Sequence, residues 1–244
     1  MEMDVMGNQL RLDKYLSDMN IGSRSDIKSW IRKGRVCINS IPCLRPEEKV
    51  SSDDIITLDG ENIIYEKYIY FMMNKPAGVV SATDDKRDKT VLDLITTPRR
   101  KDMFPVGRLD KDTEGLLIIT NDGDLAHRLL SPKKEVDKVY FARVKGIVTD
   151  DDVAAFLSGI SIGEDKPCLP ARLEIIKSDD ISEIKLTIHE GKYHQVKRMF
   201  EAVGKEVIYL KRLSMGGLNL DPLLKPGEYR RLTMDELKRL MRLH

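Results

Sequence analysis

The sequence predicts an α+β chain: a small N-terminal module, then a larger domain built on a mostly antiparallel sheet with helices packed against it. Three observations carry that reading. At 244 residues and 41% hydrophobic content, the chain can bury two modest cores. Between Asp59 and Lys67 it carries Gly60 and few core signals, which marks a boundary. Beyond that point short strand-like runs alternate with helical ones. The expected division is a module at 9–60, a linker at 61–67 and a second domain at 68–244. No internal repeat or low-complexity tract interrupts it.

Leu12, Tyr15, Leu16 and Met19 recur at i, i+3, i+4 and i+7, the stripe of a first amphipathic helix. Asn20-Ile21-Gly22 ends it. Ser23-Arg24-Ser25-Asp26 then reads as a capping box: the Ser23 hydroxyl accepts from the Asp26 amide and the Asp26 carboxylate reaches back. In the helix that follows, Ile27, Trp30 and Ile31 face inward, with Trp30 read as core. Arg24, Lys28, Arg32 and Lys33 are left outward, and Gly34 supplies a positive-φ stop. Val36–Ile38 and Ile55–Leu58 are short strands. In the larger domain strands are expected at 68–73, 116–120, 138–146, 171–177, 182–189 and 206–213, and helices at 90–96, 123–130, 150–158 and 194–203. Thr233-Met234-Asp235-Glu236 is a second capping box, opening a last helix to Leu243.

Several classes are argued against. No apolar run approaches the ~20 residues of a membrane span. Met1-Glu2-Met3-Asp4 lacks the basic and apolar regions of a signal peptide. Cys37, Cys43 and Cys168 are odd in number and form no C-x-x-C pair, against a disulfide framework or a structural zinc site. His127, His189, His194 and His244 show no metal-ligand spacing, and no Ser-His-Asp or Cys-His pattern stands out. A monomer in a reducing cytoplasm is expected. Net charge is only +1, but it is unevenly spread. Leu10 to Arg45 holds eight Lys/Arg against three Asp/Glu, and Lys185 to His244 thirteen against seven. Asp150 to Ile184 holds nine acids against three bases. Two basic segments flanking an acidic one suit a nucleic-acid partner; a solvated mixed surface is the plain alternative.

The most informative stretch is Gly107-Arg108-Leu109-Asp110-Lys111-Asp112-Thr113-Glu114-Gly115, running into the β-branched strand Leu116-Leu117-Ile118-Ile119-Thr120 and an Asn121-Asp122-Gly123 turn. A charged loop at the end of a buried strand is a common seat for catalytic side chains. Asp110 lies between Arg108 and Lys111, neighbours that favour an ionised carboxylate. A salt-bridged surface turn would carry the same residues.

The whole string resembles the catalytic signature of the pseudouridine synthases, in the branch of the small-subunit rRNA enzyme (RsuA-like). Tyr70-Phe71-Met72-Met73-Asn74-Lys75-Pro76-Ala77-Gly78 resembles that family's first catalytic-domain motif. Ser81-Ala82-Thr83-Asp84-Asp85, Thr90-Val91-Leu92-Asp93-Leu94, Lys138-Val139-Tyr140, Glu190 to Phe200 and Leu224 to Arg230 follow in the family's order. The N-terminal Gly22-Ser23-Arg24-Ser25 and Ile31-Arg32-Lys33-Gly34-Arg35-Val36 resemble the S4 RNA-binding domain, whose cations meet phosphates on structured RNA.

The resemblance implies an isomerase with no cofactor, which breaks the N1–C1′ bond of a uridine and rejoins the base through C5. It gives Asp110 the carboxylate role, either as attacker of C1′ or as acceptor of a sugar proton. Lys197 is the expected counter-ion, since it lies beside the buried stripe Val196, Met199, Phe200 and Val203; Arg198 is the next candidate, and a phosphate contact is the plain reading of either. Tyr140 becomes the ring stacked on a flipped-out uracil; as a bare mid-strand residue it would be core. Arg108 guards the vacancy left by that base, and Lys75 touches backbone phosphate. His194 reads as a structural or RNA-contacting residue. Asn74-Lys75-Pro76, Thr83-Asp84-Asp85 and Tyr193-His194-Gln195 resemble the small-subunit branch, implying uridine 516 of 16S rRNA, free or in a partly assembled subunit. A 23S rRNA enzyme, or an S4-type assembly protein without catalysis, is the alternative.

Overall fold

The structure, a computed structural model, describes residues 9–242. The leader reading on Met1 to Asp4, the end of the last helix at Leu243, and His244 lie outside the described residues. The chain forms two compact units. One runs to Tyr68 and takes in Thr97–Lys101; the other comprises Ile69–Thr96 and the chain from Asp102 onward.

In the smaller unit β1 (Leu10–Arg11) leads into α1 (Leu12–Asp18), which buries Leu12, Tyr15 and Leu16. The second helix, α2 (Arg24–Arg32), starts on Ser23, whose hydroxyl accepts from the Asp26 amide at 3.2 Å. The other half of the expected box differs: the Asp26 carboxylate takes the Ser23 hydroxyl, not its amide. Ile27 and Ile31 are fully buried. Trp30, expected in the core, is half-buried at its edge. The indole lies so close to Gly22 that a Cβ there would meet it at 2.5 Å, and the Arg35 guanidinium sits 5.3 Å from its centroid. Then come β2 (Val36–Ile38), β3 (Ile41–Pro42), β4 (Lys49–Val50), β5 (Ile56–Leu58) and β6 (Glu61–Asn62). Four of them form an antiparallel sheet in the order β3-β2-β5-β6, and β4 pairs with β1. The expected linker is partly built into this unit. It carries β6, Ile63 and Tyr65 pack against the small core, and the Tyr15 hydroxyl donates to the Ile63 carbonyl at 2.6 Å.

The larger unit is one sheet, nine-stranded among the described residues. Its elements are β7 (Tyr70–Lys75), β8 (Phe104–Pro105), β9 (Glu114–Thr120), α3 (Gly123–Leu130), β10 (Lys138–Lys145), α4 (Asp150–Ser158), β11 (Arg172–Lys177), β12 (Ile181–Ile188), α5 (Gln195–Ala202), β13 (Glu206–Met215), β14 (Leu218–Asn219), β15 (Tyr229–Arg231) and α6 (Met234–Met241). The path is β11-β12-β10-β13-β9-β7-β15, with β14 on β13 and β8 on β9. Every pairing is antiparallel except β13 with β9. The helix expected at 90–96 is a single 3-10 turn, Val91–Leu94, closed by a Thr90/Asp93 capping box. It is too short to gain the cooperative bonding of an α-helix. Phe156 of α4 and Phe200 of α5 meet at 4.9 Å within the core cluster formed over the sheet.

The parallel seam positions everything that follows. At Arg212↔Gly115 the two backbones approach so closely that a Cβ on Gly115 would lie 2.2 Å from the Arg212 carbonyl oxygen, and Gly115 has φ +104. Only glycine meets both conditions. Arg212 is also the register partner of Tyr140 on β10. Strand pairing therefore brings the start of β9, and the loop entering it, beside Tyr140.

Candidate active site

The loop Gly107–Thr113 is held from below. Lys75, the last residue of β7, is fully buried, and its ammonium donates to the carbonyls of Thr113 at 2.8 Å, Asp110 at 3.0 Å and Pro76 at 3.0 Å. Burial pushes this ammonium down to about 8, against the opposing pull of Asp112, Asp110 and Glu114. The expectation that Lys75 touches RNA phosphate is therefore corrected: its charge is spent on backbone oxygens under the loop, out of reach of solvent. Further ties come from Gly78, whose amide donates to the Lys111 carbonyl at 2.7 Å, and from Ser81, whose hydroxyl exchanges hydrogen bonds with both backbone groups of Leu109. The Thr113 amide closes the turn onto the Asp110 carbonyl at 3.1 Å.

These contacts leave the Asp110 carboxylate aimed at a small open cleft of about 70 Å³. Arg108, Thr113, Tyr140, Lys192, His194 and Leu210 are among its walls. Lys197 reaches Asp110 Oδ2 at 3.5 Å, as the sequence suggested, but it holds Asp112 more tightly, at 2.6 and 2.8 Å. Burial pushes the Asp112 carboxyl up; the hydrogen bond and charge of Lys197 outweigh that and hold it below the usual range. On the other side His194 Nε2 lies 3.6 Å from Asp110 Oδ1. The Asp110 carboxylate thus sits between an ammonium and an imidazole, with a quarter of its side chain open.

Tyr140 is buried, 7% exposed, and forms part of the cleft wall. Arg108 is exposed at the same cleft and makes no side-chain hydrogen bond among the described residues. The expectation for Arg198 is corrected. Its guanidinium donates to Glu164 at 2.7 Å, to the Tyr193 carbonyl at 3.1 Å and to the Ile162 carbonyl. It ties α5 to the preceding loops and has little left for a phosphate. In the smaller unit Arg24, Lys28, Arg32 and Lys33 are all exposed, and the first two line a cavity of about 310 Å³ with Arg11, Lys14 and Asp13.

Sequence reasoning quoted Asp112 and Thr113 within the signature string but gave neither a role of its own. Asp112 lies two residues from Asp110, but its pairing with Lys197 spans 85 positions and no spacing rule announces it. Thr113 is buried with its hydroxyl oxygen unpartnered. His194 was assigned no part beside the carboxylate; its left-handed backbone, φ 47 at the start of α5, is what turns it toward the loop.

The family model described as RNA pseudouridylate synthase matches residues 69–202, and the S4 domain model matches 10–56. An uncharacterised RNA pseudouridine synthase of Bacillus subtilis is 51% identical over 93% of this chain and 97% of its own length. A ribosomal large subunit pseudouridine synthase B of the same organism is 42% identical over 96% of each chain. A ribosomal small subunit pseudouridine synthase A of Vibrio cholerae is 40% identical over 93% of this chain and 98% of its own. A crystal structure of a pseudouridylate synthase superposes with a TM-score of 0.67 at 39% identity, covering 95% of this chain and 99% of that one.

Proposed function

The chain belongs to the RNA pseudouridylate synthase family and carries an S4 domain ahead of the catalytic one; from that premise we propose that it isomerises one uridine of ribosomal RNA, uridine 516 of the 16S molecule. The observation that carries this reading is the Asp110 carboxylate, set on a pinned loop between Lys197 and His194 and opening on a cleft walled by Tyr140. The reaction breaks N1–C1′, turns the uracil and forms C5–C1′; C5 loses its proton and the freed N1 gains one, so the product is an isomer of the substrate. Nothing is oxidised and no atom is imported. Asp110 supplies the one anionic group this needs at the sugar, whether it attacks C1′ or takes a sugar proton. Lys197 supplies compensating positive charge. Tyr140 stacks on the flipped uracil, and the ~1–3 kcal/mol of such a stack offsets much of the cost of extrusion. Arg108 reaches the vacancy in the RNA. The exposed cations of the smaller unit grip phosphate.

The choice of 16S rRNA rests on the likeness of Asn74-Lys75-Pro76, Thr83-Asp84-Asp85 and Tyr193-His194-Gln195 to the small-subunit branch. A 23S target is the second reading, favoured by the relative named for the large subunit, which is as similar as the one named for the small. The enzyme would act as a monomer in the cytoplasm, on 16S rRNA free or in a partly assembled particle. Mapping pseudouridine in both rRNAs from cells with and without this protein tests the assignment. Loss at position 516 of 16S rRNA alone is the expected result. Loss at a 23S position with 16S rRNA unchanged would move the enzyme to the large subunit.

A further inference from the structure

One aromatic surface at the cleft has no part in the chemistry above. Tyr193 is 73% exposed, yet it is not a loose side chain. Its ring stacks on His194 with centroids 3.8 Å apart and planes 17° from parallel. His194 is itself a wall of the cleft and lies against Asp110. The turn that carries the pair is fixed at several points. The Lys192 amide donates to Gln195 Oε1 and Gln195 Nε2 donates to Glu190, each at 2.9 Å. Arg198 binds the Tyr193 carbonyl, and the Lys192 ammonium donates to the Lys166 carbonyl at 2.8 Å. The outer face of the Tyr193 ring is thus a preordered flat surface at the rim of the cleft, with its inner face covered by the imidazole.

Scattered exposed apolar residues need no explanation. A rigid, stacked aromatic pair beside a cleft read as taking an extruded base is different. Extruding one base from a strand leaves its neighbour without a stacking partner on that side. Recognition of single-stranded RNA commonly uses such unstacked bases against Tyr or His rings. We propose that the Tyr193–His194 pair is a shelf that stacks the nucleotide adjacent to the target uridine, and so selects for an unpaired neighbour rather than a duplex. This rests on the functional reading above, since it needs a flipped uridine in the cleft. The target uracil is the business of Tyr140 in the wall; Tyr193 at the rim takes the next base.

The test uses the full-length protein with transcribed 16S and 23S rRNA as probes. Affinity is measured for the wild type, Tyr193→Phe and Tyr193→Ala, alongside pseudouridine formation at saturating enzyme. Tyr193→Ala should weaken binding of the preferred rRNA roughly 5- to 150-fold, the worth of one base–aromatic stack. Tyr193→Phe should bind within about 2-fold of wild type, because a stack needs the ring and not the hydroxyl. Turnover of the saturated Tyr193→Ala complex should stay within a few-fold. Wild-type affinity in Tyr193→Ala would overturn the shelf, as would equal weakening in Tyr193→Phe. These comparisons stand even if the wild type isomerises neither rRNA, an outcome that would sink the functional reading separately. Once the target is mapped, an abasic nucleotide on one side of it should abolish the difference between wild type and Tyr193→Ala. A full difference with either neighbour abasic would show that no flanking base occupies the shelf.

Discussion

Lys197 and Lys75 have the same charge and opposite surroundings, and each makes its own prediction. Lys197 shares its ammonium between Asp112 and Asp110, so its position follows from two carboxylates, not one. Lys197→Met should lower turnover about 10- to 100-fold, the worth of one charge-assisted hydrogen bond, while RNA affinity changes only a few-fold. Matching losses in affinity and in turnover per bound complex would assign Lys197 to phosphate instead. Lys75 has its charge buried among carbonyls and its ammonium held down to about 8, where the unfolded chain titrates near 10.5. Between those values the native state carries fewer protons than the unfolded one, so this group makes stability rise with pH across the window. The loop above it loses its charged support over the same range. Activity should therefore fall through about pH 8 while the Lys75 contribution to the denaturation midpoint increases. Turnover that stays flat from about pH 7 to about pH 10 would show that the ammonium is not needed to hold the Asp110 loop. The place of Lys197 beside Asp110 was legible in the residues, its tighter hold on Asp112 was not; nor was the role of Lys75, since a lysine in Asn74-Lys75-Pro76 looks like a phosphate contact until the sheet buries it.

At the scale of elements the sequence was more open. The runs 116–120 and 182–189 announced strands, found at Glu114–Thr120 and Ile181–Ile188, because β-branched residues on a buried sheet leave that pattern. The Thr233/Glu236 box announced the start of α6, since its pairing is local. Strands β8 and β15 did not announce themselves; Phe104–Pro105 and Tyr229–Arg231 are strands only because β9 and β7 offer edges to pair with. The β9–β13 junction was hidden for the same reason, though Gly115 marked it. Gly115→Ala would drive a Cβ into the Arg212 backbone from a left-handed φ, costing roughly 2–4 kcal/mol and opening the seam beside Asp110. A denaturation midpoint unchanged by that substitution would mean the seam is slack. The α6 start should be acid-sensitive. Arg230 holds the Glu236 carboxyl down to about 2, against burial and with help from the Thr233 amide. Its stabilising share is complete above about 4.5 and disappears as pH falls toward 2. Glu236→Gln should lose stability at neutral pH and flatten its dependence across that window; a wild-type pH profile in Glu236→Gln would contradict this.

For the molecule as a whole the two families of residue do separate work: one unit displays cations, the other holds a carboxylate in a cleft. The division into an S4 domain and a pseudouridylate synthase domain was readable because each carries its own local motifs. The exchange of Thr97–Lys101 into the smaller unit was not, since it depends on long-range bonds such as the one from Asn20 to the Pro98 carbonyl at 2.9 Å. Replacing Arg24, Lys28, Arg32 and Lys33 by Ala should weaken rRNA binding and make its log–log salt slope shallower by ~0.7–0.9 for each phosphate left without its cation. An unchanged slope would reduce that face to a solvated surface. The central claim, that one carboxylate on the pinned loop performs the isomerisation, is tested most directly by pseudouridine formation with purified Asp110→Asn on transcribed 16S rRNA. The account predicts no detectable product from a protein that still binds the RNA within a few-fold of wild type. Product at more than a small percentage of the wild-type rate would contradict it.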